Sequence, residues 1–371
     1  MTTDSNPQSP LGQIRLIGQN DTRIWGMTNA ERVRRMANEA AKSGKQLAAG
    51  HCLAVNLTFV FDPLLLRKVI AEPGTVFTRD GVLVVGQMPA SLAAERPVAA
   101  QGVTIIDLAD GKRIYNDQLR KLEAPFVSDL TPQTRAAIER QSYFGAYKGV
   151  TDLLTKYLWP ELALVLTRAA ARIGMTPNMV TAIGAAGCIA ATFLFAYGHY
   201  WTGMLAGFVF MVLDTVDGKL ARCTITSSKW GNVADHGLDL VHPPFWWYAW
   251  GIGLATWGLA LSPTTFWTVM GVIFAGYVLQ RLIEGAFITG FGMHIHVWRP
   301  FDTWFRLITA RRNPNMVILF ASMLADRPDW GIIAVAWWTA ISLAVHLVQL
   351  LQAYWLKARG QTITSWLEQG V

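Results

Sequence analysis

The spacing of apolar positions changes character part-way along the chain. Up to about residue 125 the apolar runs are short and are separated by polar, Gly and Pro positions. That pattern predicts a mixed α/β unit, with strands over 14–17, 54–60, 81–85 and 103–107. Helices are predicted over 29–42 and 63–71, the second begun by Asp62. Residues 1–12 are expected to form a loose tail without a secretory signal. Residues 126–159 form a polar connector with helical stretches. Residues 160–175 then place apolar positions at helical spacing, with Arg168 and Arg172 among them and Pro160 suited to the first turn. This predicts a helix lying along a membrane surface.

Six apolar runs follow, over 178–198, 201–222, 231–257, 264–288, 315–325 with flanking residues, and 330–355. Most are near the ~20 residues that cross a bilayer; the fifth is short. Composition agrees. Charged residues are 15% of the chain and hydrophobic residues 52%, against about 25% charged in soluble proteins. The expected fold is an α-helical membrane protein with six transmembrane helices, preceded by a small cytoplasmic α/β domain. The expected division is 1–125, a connector and juxtamembrane helix over 126–175, and a membrane domain over 176–371.

The net charge of +7 fits nucleic acid or basic cytoplasmic loops, and its placement favours the loops. The connector carries Lys148, Lys156, Arg168 and Arg172, and the turn near His199 carries no Lys, Arg, Asp or Glu. Arg222 and Lys229 follow, then an uncharged turn near Ser262, then Arg299, Arg306, Arg311 and Arg312. In the fifth loop Asp326, Arg327 and Asp329 nearly cancel, and the tail has Lys357 and Arg359. Alternate loops are basic, which places both termini in the cytoplasm. An inner, multi-pass location is expected, with membrane lipids as partners and no nucleic acid. Cys52, Cys188 and Cys223 show no paired spacing, so neither zinc nor disulfides are inferred.

Asp214, Asp217, Asp235 and Asp239 lie on the second and third runs. Each costs on the order of 2.5–3.5 kcal/mol in hydrocarbon, so together they point to function. Asp214, Asp217, Gly218, Ala221 and Arg222 share one helical face, as do Gly231, Asp235 and Asp239. Across a short loop the two acidic faces can meet. Converging carboxylates need a cation, and an all-oxygen donor set selects Mg²⁺ or Mn²⁺, or Ca²⁺, over Zn²⁺. Two ions roughly 3.5–4 Å apart would suit phosphoryl transfer. The small residues leave room for close approach, and Arg222 can fork onto a phosphate.

The run Asp214-Thr-Val-Asp217-Gly218-Lys-Leu-Ala221-Arg222, followed after eight residues by Gly231, after three by Asp235 and after three more by Asp239, matches the CDP-alcohol phosphatidyltransferase signature at every defined position. Over about 160–355 the chain resembles that family, in its six-run layout as well as its motif. The resemblance implies transfer of a substituted phosphate group from a CDP-alcohol to an acceptor hydroxyl, with release of CMP, in phospholipid or polar-lipid biosynthesis. It implies Asp214, Asp217, Asp235 and Asp239 as metal ligands, and Asp239 as the general base. Gly218, Ala221, Arg222 and Gly231 are implied as CDP-binding positions, with Asn178 and Thr181 touching the nucleotide from the first run. The donor is CDP-diacylglycerol or a CDP-polyol, the partner an alcohol acceptor, and the assembly a possible homodimer. The first domain resembles a degenerate nucleotidyltransferase. Its layout before the membrane runs is similar to fused cytidylyltransferase and dialkyl-inositol-phosphate synthase enzymes.

Two readings from other classes stay open at this stage: a metal-ion transporter using the aspartate cluster, and a tethered scaffold. Arg281 and Glu284, three apart, read as an ion pair or an acceptor site. Arg306, Arg311 and Arg312 read as loop charge or as phosphate binders. His294 and His296 are too poorly spaced to suggest a metal. His236 and His242 fit packing, and Trp246, Trp247, Trp250, Trp337 and Trp338 are expected as interfacial or lipid-facing anchors.

Overall fold

The computed structural model describes residues 10–92, 103–226 and 229–368, with the backbone alone over 229–236. The N-terminal region runs β1 (Gln13–Ile17), α1 (Asn29–Lys42), β2 (His51–Asn56), β3 (Phe59–Phe61), α2 (Pro63–Ala71), β4 (Thr75–Arg79), β5 (Val82–Pro89) and β6 (Thr104–Asp107). Five strands form one sheet in the order β1-β2-β5-β4-β6. The two outer pairs are parallel and the inner pairs antiparallel. The two helices begin where capping chemistry dictates. The Thr28 hydroxyl accepts from the Glu31 amide and the Asp62 carboxylate from the Leu64 amide. Val33, Ala37, Leu53, Val55, Leu65 and Val69 close the core between helices and sheet.

The predicted strand over 54–60 is in fact two. The Asn56 side chain accepts from the Thr58 amide at 3.0 Å and turns the chain there. The second half, β3, leaves the main sheet and pairs with β9 (Val127–Asp129). Strand β4 escaped prediction although it lies inside the sheet, between β5 and β6. A small hairpin, β7 (Ile114–Asn116) with β8 (Lys121–Glu123), projects from the sheet region.

The connector contains α3 (Arg135–Gly145), a π-type turn over 154–158 and α4 (Pro160–Arg172). The apolar part then comprises α5 (Pro177–Ala196), α6 (Tyr200–Thr224), α7 (Lys229–Gly253), α8 (Pro263–Phe291), the short α9 (Pro300–Phe305), α10 (Arg312–Leu324) and α11 (Pro328–Ala358). Proline sits in the first turn of α4, α5, α8, α9 and α11, where its missing N–H costs nothing. By length and composition α5, α8 and α11 are able to cross a membrane. Helix α6 is as long, but its apolar face is interrupted by Asp214, Asp217, Lys219 and Arg222. Helix α10 has 13 residues, about 20 Å at 1.5 Å per residue, short of the ~30 Å hydrocarbon thickness.

Helices α5 and α6 approach closely through glycine. A Cβ on Gly203 would lie 2.6 Å from the Phe195 ring, and one on Gly187 would lie 3.3 Å from the Ala206 carbonyl oxygen. Three of the five tryptophans read as membrane anchors are instead core wedges. Trp246, Trp247 and Trp250 are 0%, 2% and 0% exposed. Trp246 Nε1 donates to the Cys188 carbonyl at 3.1 Å and Trp250 Nε1 to the Pro328 carbonyl at 3.0 Å. A buried indole needs an acceptor, and helix backbones supply it. Trp337 does face outward, at 69% exposed. The three cysteines are buried and unpaired.

The connector is fastened to the bundle by polar contacts as well as packing. Trp159 Nε1 donates to Thr215 Oγ1 at 3.1 Å, and the Leu153 amide to the Leu307 carbonyl at 2.9 Å. The Lys219 ammonium lies 3.0 Å from the Tyr147 ring centroid. The Asp152 carboxylate accepts from the Thr155 amide, the Thr155 hydroxyl and Asn313 Nδ2 at 3.0, 2.8 and 3.0 Å. Burial acts to raise its pKa, but the Arg306 charge and these donors hold the carboxyl below its ordinary range. A depressed carboxyl contributes stability above its unfolded-state pKa and loses it as the pH falls through the folded-state value. Asp152→Asn is therefore expected to cost about 1–3 kcal/mol near neutral pH. In thermal denaturation of the detergent-solubilised protein, the gap to wild type should close as the pH drops below the carboxylate range.

Candidate active site

Three helices deliver the acidic side chains to one place. Asp214 and Asp217 project from α6, Asp239 from α7, and Thr181 reaches them from α5. The Thr181 hydroxyl lies 2.5 Å from Asp217 Oδ2 and 3.1 Å from the Pro177 carbonyl. Asp217 is 3% exposed, whereas the Asp239 side chain is 46% exposed. Of the three aspartates whose side chains are described, Asp217 is the most buried and is held by a neutral hydroxyl, whereas Asp239, the one expected to handle a proton, is the most exposed.

Asp214 and Asp239 meet on a single guanidinium. Arg312, at the start of α10, donates Nη2 to Asp214 Oδ2 and Nη1 to Asp239 Oδ1, both at 2.7 Å. Its Nε donates to Asn313 Oδ1 at 2.9 Å, and its plane lies 4.8 Å from the Phe210 ring centroid. Two carboxylates in low dielectric repel strongly unless a cation lies between them. That a guanidinium takes this place shows that the pair accommodates positive charge. The donor set is all oxygen, which fits a hard divalent ion.

Gly218 and Arg222 form a separate feature one turn along α6. A Cβ on Gly218 would lie 3.2 Å from Arg222 Nη2, so the guanidinium folds over the bare backbone. Ala221 is half-buried and Arg222 exposed. Asn178 is exposed on the first turn of α5, three residues before Thr181 on the same helical face. Gly231 and Asp235 lie on α7, but their side chains, and that of His236, fall outside the described residues. His242 packs edge-on against Phe210 and Trp246 at 4.9 Å each, and its Nδ1 lies 2.7 Å from the Leu238 carbonyl.

A second polar cluster adjoins the aspartates. The Tyr277 hydroxyl on α8 donates to the Leu240 carbonyl at 2.9 Å, and Arg281 lies 5.4 Å from the Tyr277 ring. Arg281 Nη1 bonds Glu284 Oε2 at 3.3 Å. Arg311, next in sequence to the bridging Arg312, bonds Glu284 and lies 3.3 Å from His296 Nε2. Ligand atoms of Glu284, His296 and His346 fall within 4.8 Å of one another. Burial pushes His296 well below its ordinary pKa although Glu284 opposes this, and burial beside Arg120 lowers His294 to about 4. Arg306 Nη1, Arg281 Nε and Arg311 Nε are buried without a hydrogen-bond partner. Arg306, Arg311 and Arg312 are therefore half-buried rather than fully solvated. His346, fully buried in α11, was not singled out from the sequence, where it is one polar residue in a long apolar run.

These observations define a largely helical protein with a carboxylate site between its helices, flanked by guanidinium groups. Residues 174–308 match the family model described as CDP-alcohol phosphatidyltransferase. The chain is 26% identical over 209 residues to phosphatidylinositol phosphate synthase of Mycolicibacterium smegmatis, covering 54% of this chain and 87% of that protein. It is 31% identical over 135 residues to cholinephosphotransferase 1 of Gallus gallus, covering 33% of this chain and 39% of that one. The crystal structure of Mycobacterium tuberculosis phosphatidylinositol phosphate synthase with CDP-DAG bound aligns with TM-score 0.40 and 18% identity, over 52% of this chain and 94% of that one. Residues 174–308 thus form a CDP-alcohol phosphatidyltransferase domain, and the chain is a transferase that moves a substituted phosphate group from a CDP-alcohol to a hydroxyl with release of CMP. Its apolar helices and the domain it matches mark it as membrane-embedded.

Arg312→Gln removes the guanidinium that bridges Asp214 and Asp239. The variant is expected to melt below wild type in chelator and to show a larger gain in Tm on adding Mg²⁺. Equal Mg²⁺ responses in the two proteins would show that the arginine and the ion do not share a place.

Proposed function

We propose that this enzyme joins a CDP-linked lipid to a phosphorylated polar alcohol, at a site open to the cytoplasmic face of an inner membrane. The observation that carries this reading is the adjacency of two charge clusters. Asp214 and Asp239 converge on Arg312, and the neighbouring Arg311 begins a set of half-buried guanidinium groups suited to an anionic acceptor. A neutral lipid alcohol would leave those charges uncompensated. The M. smegmatis relative's name, phosphatidylinositol phosphate synthase, supports the same assignment.

In this reading Asp214, Asp217, Asp235 and Asp239 hold one or two Mg²⁺ or Mn²⁺ ions. When bound, the metal neutralises the donor diphosphate and stabilises the leaving CMP. Thr181 orients Asp217 for that task through its hydroxyl. Gly218, Ala221, Arg222 and Gly231 line the CDP, with Gly218 giving backbone access and Arg222 its fork, and Asn178 reaches the nucleotide from α5. Asp239, the exposed carboxylate, takes the proton of the acceptor hydroxyl. The acceptor oxygen forms a bond to the phosphorus that carries the lipid, the diphosphate P–O bond breaks, and CMP departs with the bonding pair. Positioned guanidinium groups hold the acceptor phosphate so that its hydroxyl faces Asp239.

The proposed architecture has six spans, with α6, α7 and α10 joining α5, α8 and α11, and both termini in the cytoplasm. The proposed division is 1–125, 126–175 and 176–371, with the first part a nucleotidyltransferase-like unit without its own catalysis. A homodimer is part of the same proposal.

CMP release by the purified protein tests the chemistry. With Mg²⁺, CDP-diacylglycerol and a phosphorylated polyol, release is expected; Asp239→Asn should reduce it by at least 100-fold while CDP binding persists. Release only from a CDP-polyol with a lipid alcohol would reverse the donor assignment. Tags at residues 1 and 371 should both report cytoplasm, and opposite sides would end the six-span proposal.

A further inference from the structure

Arg312 reaches the aspartates from an unfavourable starting point. It is the first residue of α10, and the residue before it makes no side-chain cap. The dipole of a helix opposes positive charge in its first turn, and an arginine side chain has many rotamers to lose. The guanidinium is nevertheless held through all three of its nitrogens. Nη2 meets Asp214 and Nη1 meets Asp239, while Nε donates to Asn313 Oδ1 at 2.9 Å. The first two contacts belong to the acidic site. The third belongs to a residue with no part in the proposed chemistry. Arg312, Asn313 and the partners of Asn313 described next all lie outside residues 174–308, the segment that the family model matches.

The Asn313 amide has one workable orientation. Its Nδ2 donates to Asp152 Oδ1 at 3.0 Å and to Thr155 Oγ1 at 3.2 Å. Turned over, its NH₂ would face the Arg312 N–H and its oxygen would face the Asp152 carboxylate, so both sides would repel. Thr155 completes the arrangement. Its hydroxyl donates to Asp152 Oδ2 at 2.8 Å, which leaves the oxygen lone pairs to accept from Asn313. Asp152 and Asn313 are 7% and 6% exposed, so little water competes for these bonds. The connector backbone is pinned at the same point. The Leu153 amide donates to the Leu307 carbonyl at 2.9 Å, and the Lys156 amide to the Asp152 carbonyl at 3.0 Å. A run of hydrogen bonds therefore leads from the connector, through one amide, to the guanidinium and on to two carboxylates. At every step a donor faces an acceptor.

We infer that Asn313 is a positioning residue: held by Asp152 and Thr155, it keeps the Arg312 guanidinium across Asp214 and Asp239, and so sets how readily a divalent ion takes the guanidinium's place. The inference rests on the reading, given under Proposed function, that these aspartates hold an ion. A guanidinium and a divalent ion answer the same pair of carboxylates, so whatever steadies the one weakens apparent binding of the other. Without an acceptor for Nε, Arg312 keeps two carboxylate bonds but loses the contact that orients its plane. The ion then competes against a looser hold. The connector thereby bears on metal binding through a chain of contacts rather than through a ligand of its own.

The test is a Mn²⁺ titration of the full chain in detergent, without donor or acceptor, with free ion counted from its EPR signal. Asn313→Leu keeps the volume and removes both faces of the amide. It is expected to bind Mn²⁺ about threefold or more tightly than wild type, the scale of one hydrogen bond lost from the competing arginine. In an Arg312→Gln background the same substitution should change nothing, because Asn313 then has no guanidinium to hold. A residue that merely stabilised the fold would not show that dependence. Thr155→Val, a near-isosteric change one contact further away, should give a smaller gain that also disappears with Arg312→Gln. It decides the question if Asn313→Leu does not fold. Unchanged or weaker binding in these variants, or an equal gain in both backgrounds, would overturn the positioning role. So would wild-type affinity in Arg312→Gln alone, since arginine and ion would then not share a place. Asp214→Asn separates this failure from that of the underlying reading: if it binds Mn²⁺ as wild type does, the ion lies elsewhere, and the metal reading falls together with this inference.

Discussion

The need to balance buried charge governs how this bundle is put together. Asp214 and Asp217 cannot sit in an apolar helix pair without compensation, and each compensating group comes from a different element. Arg312 arrives from α10 to bridge Asp214 to Asp239, and Thr181 arrives from α5 to hold Asp217. Those contacts fix the relative depth of α5, α6, α7 and α10. The packing accommodates them: glycine lets α5 and α6 close to backbone distance, and buried indoles tie α7 to α5 and to the start of α11. Movement of any one helix would strand a charge.

The same balance distinguishes the two clusters chemically. Around Asp214, Asp217 and Asp239 negative charge dominates, so the site draws cations. Around Arg281, Arg306 and Arg311 positive charge dominates and unused N–H donors remain, which suits the anionic acceptor proposed above. Adjacent Arg311 and Arg312 face one cluster each, which places opposite demands side by side. The proposed transfer between a metal-bound diphosphate and an anionic alcohol would need that juxtaposition, because two polyanions must approach without mutual repulsion.

The connector and the N-terminal region are joined to this arrangement through polar contacts as well as through the chain. Asp152 binds Asn313, one residue past the bridging arginine, and Arg35 Nη1 donates to the Thr224 carbonyl at the end of α6 at 2.8 Å. Strain in the connector would reach Arg312 through Asn313.

The sequence alone determined the local elements and the motif. Helices α1 and α2 appear where their caps and periodicity place them, and the spacing of Asp214, Asp217, Gly218 and Arg222 on one face follows from helical geometry. A capping or face-sharing residue acts within a few positions of its partner, so the chain order carries the information. The strand break at Asn56 was a local signal overlooked, whereas the pairing of β3 with β9 depends on residues some seventy positions apart. Only the tertiary structure decided that Arg312 meets Asp214, 98 positions away, or that the tryptophans of α7 face inward. Charge and apolar area state what a side chain requires. Which neighbour meets the requirement is settled by how helices cross, and that geometry is a property of the whole bundle.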